Sequence, residues 1–341
     1  MSGRLVRWLL SLGAAPNRAA FESPRLTIVR HHRVYANGER ALYHLGVSER
    51  MLEGQLQALA KSGMTPVSVA EGLQRLEKGA AGHHVAFSFD DGYADNVERA
   101  LPILERAGAR ATFYLTAGLM EERRAPWWDE LAHALTHATK TSATIEWGGT
   151  PVALDVAHES GRDAALRALL PLLRVVPAEQ HARLAALRGA LGVTDRAPCE
   201  FADWALAKKL VSAGMEAGAH TLTHPFLTLL SPDSQRREMA DSAALIRERL
   251  GCGTPGIAYP NGDHDAATTS AARAAGFQYG VITRSGDVTA TSAAGARFEL
   301  PRRPLTEGAC TGPFGFSARM TLAETRGAFD ALRKGRVEMS S

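Results

Sequence analysis

Two adjacent aspartates follow a stretch that is predicted to be a buried strand. Segment 84–89 is mostly apolar and is followed at once by Asp90, Asp91 and Gly92. A carboxylate at the end of a buried strand must be solvated, paired or bound to a metal ion. In (β/α) barrels, active sites are built at this end of the strands. A plain Asp-Asp-Gly turn that caps a helix is the simpler alternative for the motif taken alone.

Two histidines four residues apart follow a second predicted strand. His220 and His224 are spaced so that both imidazoles can reach one metal ion. A pair of this kind also arises by chance, but a barrel can bring it face to face with the aspartate pair. Neutral imidazole combined with a carboxylate suits zinc or a similar divalent ion. With Asp91 as the third ligand, coordination positions would stay open for water and substrate, as in catalytic zinc sites.

The elements that must position these residues alternate along the chain. Short apolar segments alternate with helical patterns, several of which end in glycine, and this predicts a parallel sheet or barrel with helices outside. The predicted strands are 26–29, 84–89, 111–115, 215–219, 256–259 and 279–282. The predicted helices are 47–62, 67–78, 95–107, 203–213, 231–250 and 263–275. Asp95 and Asn96 are interpreted as the N-cap of the third helix.

One stretch interrupts the alternation. Residues 118–200 contain no strand–helix–strand unit; they include Trp127, Trp128 and Asp129 and continue into a segment rich in Ala, Leu and Arg that predicts helices. We therefore expect a helical insertion at 118–200 within one barrel of residues 23–310. A leader at 1–22 and a helical tail at 311–341 complete the predicted organisation. The tryptophans could stack on a sugar or pack the insertion onto the barrel.

The composition excludes several classes of protein. The chain has 341 residues, of which 45% are hydrophobic and 22% are charged, as in an ordinary globular protein. Its net charge of +3 and the absence of a long basic run argue against a nucleic-acid partner. The three cysteines lack metal-site or disulfide spacing, and this favours a reducing compartment.

The basic charge is concentrated at the start of the chain. Residues 1–33 carry six arginines and one glutamate, and Leu5, Trp8, Leu9 and Leu12 would share one face of a short helix. Such a helix could rest on an anionic membrane surface, while docking on the fold and a secretory signal are alternatives. No apolar stretch is long enough to span a bilayer. The sequence thus predicts a cytoplasmic protein with a peripheral contact at the inner membrane.

In these motifs the sequence resembles the metal-dependent polysaccharide deacetylases of the NodB-homology group, carbohydrate esterase family 4. The matching motifs are Phe89-Asp90-Asp91-Gly92, His220-Thr221 with His224-Pro225, and a variant third motif, Ala258-Tyr259-Pro260-Asn261-Gly262. The resemblance covers about 26–117 and 203–305. It implies a distorted, incomplete (β/α)7 barrel. By position, Asp90 would be the general base, and Asp91, His220 and His224 would hold a divalent ion, with zinc favoured.

Two departures from the family pattern concern further roles. The third motif usually begins with an arginine that orients the base, but this sequence has Ala258, so Arg302 is the expected substitute and Arg303 its rival. The usual late histidine is absent, and the N-terminal segment resembles a branch whose acid motif is permuted to the front of the barrel. His32 is then the expected general acid. The backbone N–H of Asn261 lies where the family places an oxyanion donor.

The resemblance implies an enzyme that hydrolyses N-acetyl groups of amino sugars. Its partner would be an N-acetylated oligo- or polysaccharide used in surface polysaccharide biosynthesis, or the lipid-linked precursor of such a glycan. Two alternatives stay open. One is removal of another small acyl group, such as formyl, from a lipid-linked sugar, and the other is a carbohydrate-binding barrel that has lost catalysis.

Overall fold

The computed structural model describes residues 24–39, 42–43 and 45–330, together with Trp8 and Ser11. Its strands alternate with helices as the sequence predicts. The strands are β1 (Arg25–His31), β2 (Arg33–Tyr35), β3 (Gly46–Ser48), β4 (His83–Phe89), β5 (Ala111–Leu115), β6 (Ser142–Trp147), β7 (Thr150–Asp155), β8 (Glu216–Ala219), β9 (Gly256–Ala258), β10 (Tyr279–Val281), β11 (Val288–Thr289), β12 (Arg302–Pro304), β13 (Thr311–Gly312) and β14 (Gly315–Phe316).

The helices pack around the sheet formed by the longer strands. They are α1 (Glu49–Ala60), α2 (Val69–Glu77), α3 (Leu101–Arg106), α4 (Ala117–Glu121), α5 (Trp127–Thr136), α6 (Glu159–Leu169), α7 (Pro177–Leu191), α8 (Trp204–Ser212), α9 (Pro232–Leu250), α10 (Ala266–Ala274), α11 (Ala290–Gly295), α12 (Glu307–Cys310) and α13 (Ala318–Thr325). Ser231 caps α9 through the backbone N–H of Ser234, and Gly251, with φ 67°, ends it. The glycine is the signal that predicted the end of this helix.

A curled sheet forms the centre of the molecule. Its strands follow the order β10-β9-β8-β5-β4-β1, with β12 pairing β1 in parallel and β11 pairing it antiparallel. In the described part of the chain, seven strands are therefore mutually parallel. Hydrogen bonds between residues 280–284 and 300–302 link the β10 end of the sheet to the segment before β12. This is the distorted, incomplete (β/α)7 barrel that the resemblance implies.

The six predicted strands are confirmed, and a seventh was missed. The strand β12 contains two arginines and a proline, and nothing in its composition predicts a buried strand. It is nevertheless in register with β1, with Ile28 opposite Arg302. The two arginines are buried because each has carboxylate partners, which the sequence alone does not reveal.

The predicted insertion is not wholly helical. It contains α5, α6 and α7, but β6 and β7 form an antiparallel hairpin between the first two of these helices. Gly148 and Gly149 make its turn with φ of 62° and 76°. Two successive positive φ angles are typical of a type I′ turn, so the Gly-Gly pair between alternating segments was the signal that sequence reasoning overlooked.

The ends of the chain differ from the prediction or lie outside the described residues. The predicted helical tail begins with the hairpin of β13 and β14 and continues as α13, while residues 331–341 are outside the description. The leader at 1–22 is outside it too, apart from Trp8 and Ser11. Among the described residues, no helix has the length and apolarity needed to cross a membrane.

Candidate active site

The carboxyl ends of three parallel strands and the first residue of a fourth bring the predicted site residues together. Asp90 and Asp91 follow β4, His220 follows β8, His32 follows β1, and Arg302 begins β12. The strand β4 is buried on both faces, with Phe87 and Phe89 on one face and Ser88 on the other inaccessible to solvent. The chain is thus held rigidly up to the point where the two carboxylates leave the sheet.

Asp91, His220 and His224 form a compact cluster of metal-ligand type. One ligand atom from each lies within 4.8 Å of the others, and all three residues are buried. His220 Nε2 is 3.4 Å and His224 Nε2 is 3.8 Å from Asp91 Oδ1. His220 donates from Nδ1 to the carbonyl of Ala258 at 2.7 Å, which leaves Nε2 available as a ligand.

The hydrogen bonding of this cluster fits a metal ion. Both carboxylate oxygens of Asp91 and both ring nitrogens of His224 are buried without a hydrogen-bond partner. Orphaned buried polar atoms are costly, and a bound cation would satisfy them. Burial, followed by the neighbouring His220, lowers the pKa of His224 to about 3. This imidazole is therefore neutral at pH 7, as a metal ligand must be.

Three residues of this cluster and its loop have left-handed backbone conformations. Asp91 has φ 79°, Thr221 φ 63° and His224 φ 57°. Non-glycine residues in this region store strain, which persists where the surrounding structure holds it in place. Here it aims two ligands inward from tight loops. These conformations are not recognisable from the sequence, because glycine is the usual marker of a left-handed backbone.

Asp90 is paired with Arg302. Two guanidinium nitrogens of Arg302 donate to Oδ1 and Oδ2 of Asp90 at 2.6 and 2.7 Å, and a third donates to the carbonyl of Ile282 at 3.2 Å. Arg302 is completely buried. Burial would raise the pKa of Asp90, but the Arg302 guanidinium, together with His220 and His32, holds this pKa well below its usual range.

The structure separates the two candidate arginines. Arg303 points away from Asp90 and pairs with Asp287 and Asp330. Successive residues of a strand face opposite sides of the sheet, so only one of the two could reach the carboxylate. The resemblance led us to expect an arginine at position 258 in contact with Asp90. This sequence has Ala258 there, and Arg302 of β12 makes the contact instead.

His32 lies beside Asp90, with Nε2 4.0 Å from Oδ2. Burial lowers the pKa of His32 to about 4, against the opposing effect of Asp91 and Asp90. Its neighbour His31 points elsewhere and is hydrogen-bonded through Nε2 to Gln55 at 2.9 Å. His32 is thus a neutral imidazole at pH 7 within reach of the Asp90 carboxylate.

Asp95 and Asn96 do not form the predicted N-cap. Asp95 makes no side-chain cap bond; it accepts from the backbone N–H of Val34 and from Arg33 Nε, at 3.0 and 2.8 Å. Asn96 donates to the carbonyl of His32 at 2.7 Å. The interpretation as a cap was wrong because Arg33, distant in sequence, captures the carboxylate. The pair instead fixes the backbone that carries His32.

Asn261 lies in the short turn Pro260–Gly262 after β9, with φ 57°. Its carbonyl accepts from Thr283 Oγ1 at 3.3 Å. The turn follows Ala258, whose carbonyl holds His220, so it belongs to the same strand-end cluster. The oxyanion role of its N–H stays a prediction.

A network of hydrogen bonds beside the metal-ligand cluster was not predicted from the sequence. The Trp128 ring packs against the His224 ring with centroids 4.3 Å apart, and its indole N–H donates to the Tyr93 hydroxyl at 2.7 Å. Tyr93 donates in turn to Asp129 Oδ2 at 2.9 Å, and Tyr43 donates to Oδ1. Burial raises the pKa of Asp129 to about 7, against the Tyr43 hydrogen bond. The Trp-Trp-Asp motif marked the segment but not its partners.

Comparisons with known proteins agree with this architecture. The sequence model described as polysaccharide deacetylase matches residues 77–280, more than half of the chain. The protein YxkH of Bacillus subtilis (strain 168), named as a polysaccharide deacetylase, is 22% identical over 264 residues, or 77% of this chain. The match covers 66% of that protein, so the chain spans just under two thirds of its length.

Solved structures share the fold at low sequence identity. The Streptococcus pyogenes deacetylase PplD in complex with acetate has a TM-score of 0.58 and 20% identity over 88% of this chain and 98% of its own. BC0361, a polysaccharide deacetylase from Bacillus cereus, has a TM-score of 0.57 and 14% identity, covering 89% and 70%. IcaB from Ammonifex degensii has a TM-score of 0.52 and 18% identity, covering 91% and 98%.

Proposed function

We propose that this chain, which belongs to the polysaccharide deacetylase family, is a metal-dependent hydrolase that removes N-acetyl groups from amino sugars. The observation that carries the proposal is the cluster of Asp91, His220 and His224, with unpartnered buried ligand atoms, beside the Asp90–Arg302 pair. A metal site and a base at one edge of the sheet are what amide hydrolysis by water requires.

The metal would be held by Asp91, His220 and His224, and we propose zinc because two imidazoles and a carboxylate are ligands that zinc accepts. When bound, such an ion polarises the acetyl carbonyl and lowers the pKa of the attacking water. The carbonyl of Ala258 keeps His220 oriented toward the cluster. The left-handed conformations of Asp91 and His224 fix the other two side chains.

Asp90 would act as the general base. Its low pKa means that it is ionised throughout the neutral range and can accept the proton of water at its carboxylate. The two hydrogen bonds from Arg302 hold the carboxylate plane in one orientation. Orientation is thereby favoured over intrinsic basicity, since the same pairing makes the carboxylate a weaker base.

His32 would supply the proton that the leaving amine needs. With a pKa of about 4 it starts neutral, so it can act as an acid only after taking up a proton. The Asp90 carboxylate, 4.0 Å away, is placed to pass on the proton that it collects from water. The amide N–H of Asn261 is proposed to donate to the oxyanion.

The proposed substrate is an N-acetylated oligo- or polysaccharide of a bacterial surface glycan, or its lipid-linked precursor. The basic leader suits an anionic membrane surface, so we propose a cytoplasmic enzyme with a peripheral contact at the inner membrane. Deleting residues 1–22 should reduce co-sedimentation with anionic vesicles, and unchanged partitioning would refute the membrane contact.

A formyl group is the alternative acyl group. Loss of catalysis is disfavoured because Arg302 makes the base contact that Ala258 cannot.

The decisive assay measures acetate and formate released from acetylated chito-oligosaccharides and from a lipid-linked N-acylated sugar. Turnover should stop with a chelator and return with zinc. Asp90→Asn should lose turnover but retain the metal, whereas His220→Ala should lose the metal. Asp241→Asn, an exposed aspartate on α9, is the matched control and should behave as wild type. No acyl release from any substrate by the metal-loaded protein would refute the proposal.

A further inference from the structure

A cavity lies against the loop that carries His224. It has a volume of about 210 Å³, and Thr223 and Pro225, on either side of His224, line it together with Trp127 of α5. The neighbouring Trp128 packs on the His224 ring, so the same helix contacts both the cavity and the metal-ligand cluster. The cavity therefore adjoins the loop and the helix that hold His224 in the cluster.

The lining of this cavity carries more positive than negative charge. Arg124, Arg188 and Arg196 contribute guanidinium groups, and Glu130 is the acidic residue among its described lining. Arg124 is paired with Glu122, outside the lining, at 2.9 Å, so Arg188 and Arg196 are the arginines on which an anion site depends. Glu130 lies 3.6 Å from Arg188 and 3.7 Å from Arg196. Both separations exceed normal hydrogen-bond length. The single carboxylate therefore lies between two guanidinium groups without accepting a hydrogen bond from either.

Buried donors in the lining lack acceptors. Arg188 Nε and the indole N–H of Trp127 are both buried without a hydrogen-bond partner. Trp127 as a whole is 7% exposed. Unsatisfied buried donors are uncommon in folded proteins, and these two belong to side chains that line one positively charged cavity. His181, in the same lining, has its pKa lowered by burial and then by Arg124 and Arg196.

We propose that this cavity binds an anionic group of the substrate glycan, a carboxylate or a phosphate, next to the sugar that is deacetylated. Guanidinium groups recognise such oxyanions through paired hydrogen bonds, and the indole offers a further donor and a stacking face for a sugar ring. The proposal rests on the proposed function, because it assigns an acidic rather than a neutral glycan to the same enzyme. A uronic acid within the chain and a sugar phosphate are the two sources of this chemistry.

Binding is tested on the metal-loaded full-length protein by calorimetric titration with glucuronate and with inorganic phosphate, using neutral glucose as the control ligand. Arg196→Gln is the informative variant because the Arg196 side chain is 69% exposed and its loss does not threaten folding. We expect this variant to raise the Kd of the preferred anion about tenfold, as for loss of a charge-assisted contact. Arg167→Gln, an exposed arginine of α6 outside the cavity, should leave the Kd unchanged.

Glu130→Gln gives a result of opposite sign. It removes the carboxylate that competes for Arg188 and Arg196, so the same anion should bind several-fold more tightly. Anion binding that His224→Ala abolishes and Arg196→Gln leaves intact would belong to the metal site and would overturn the inference. Equal binding of glucose and the anions would overturn it as well.

The activity arm separates this inference from the proposed function. The ratio of kcat/KM for an acidic N-acetylated oligosaccharide to that for a neutral one should fall about tenfold in Arg196→Gln. Tighter binding of glucuronate indicates a uronic acid, and tighter binding of phosphate indicates a phosphorylated sugar. Turnover of both substrates with an unchanged ratio refutes the anion site alone. No turnover of either substrate, with anion binding retained, refutes the enzyme and not the site.

Discussion

Replacing Arg302 by Met tests the central electrostatic contact of the site. Arg302 is fully buried and makes two charge-assisted hydrogen bonds to Asp90, at 2.6 and 2.7 Å. Breaking a buried ion pair by removing one partner leaves the other charge unpaired and costs about 3–5 kcal/mol of unfolding free energy. Because native domains are stable by about 5–15 kcal/mol, the variant should stay folded at low temperature without denaturant. Its urea midpoint should be much lower than that of the wild type.

The same substitution should change the pH dependence of turnover. Arg302 is the strongest of the groups that lower the pKa of Asp90, and burial alone would raise it. Without Arg302 the base becomes protonated at higher pH, so the acid limb of kcat/KM should move upward. In the Arg302→Met, Asp90→Asn double variant, the second substitution removes the buried charge that the first leaves unpaired. The double variant should therefore recover part of the lost stability, as a double-mutant cycle would show.

Arg303→Met is the matched control for this experiment. Arg303 is also buried and paired, but with Asp287 and Asp330 rather than Asp90. It should lower stability without moving the acid limb of the pH profile. If Arg302→Met leaves that limb in place, or if both variants shift it equally, then Arg302 does not control the ionisation of Asp90.

Three further changes have expected outcomes. Burial lowers the pKa of His31 to about 4, below its unfolded value, so its contribution to stability is present above pH 6.5 and is lost as the pH falls toward 4; His31→Asn should remove about 3 kcal/mol of the change in unfolding free energy that urea titrations measure across this range. His32→Ala should lower kcat with little change in bound metal measured by atomic emission; an unchanged kcat would assign the acid elsewhere. Asp129→Asn should weaken metal binding about 10–100-fold in a chelator competition, because it disturbs the hydrogen bonds that hold Trp128 on His224; unchanged affinity would restrict Asp129 to folding.

The sequence predicts those parts of the site that strand ends determine. Asp90 and Asp91 follow an apolar strand, and His220 follows another, so a parallel barrel must bring them to one edge. Their residue types already restrict the chemistry to metal binding or proton transfer. Neither statement requires knowledge of side-chain contacts. The structure confirms that these residues lie at one edge of the sheet, and their chemistry stays a prediction.

The choice between Arg302 and Arg303 could not be made in the same way. Both are in one strand, and a shift of one residue exchanges which side chain faces Asp90. Register is set by pairing with β1, where Ile28 lies opposite Arg302. No local pattern encodes that pairing, since the strand lacks the alternating polarity by which register is usually inferred.

The polar network around Asp129 argues that the insertion is part of the site and not an appendage. Trp128 and Asp129 come from α5, while Tyr93 lies in the loop that follows Asp91 and Gly92. Their hydrogen bonds and the packing of Trp128 on His224 connect both ligand-bearing loops to one helix of the insertion. Trp127 of that helix lines the cavity proposed to bind an anion. A change in the insertion that moves α5 should therefore alter metal affinity and substrate preference together, and a barrel relative with a different insertion is expected to differ in both.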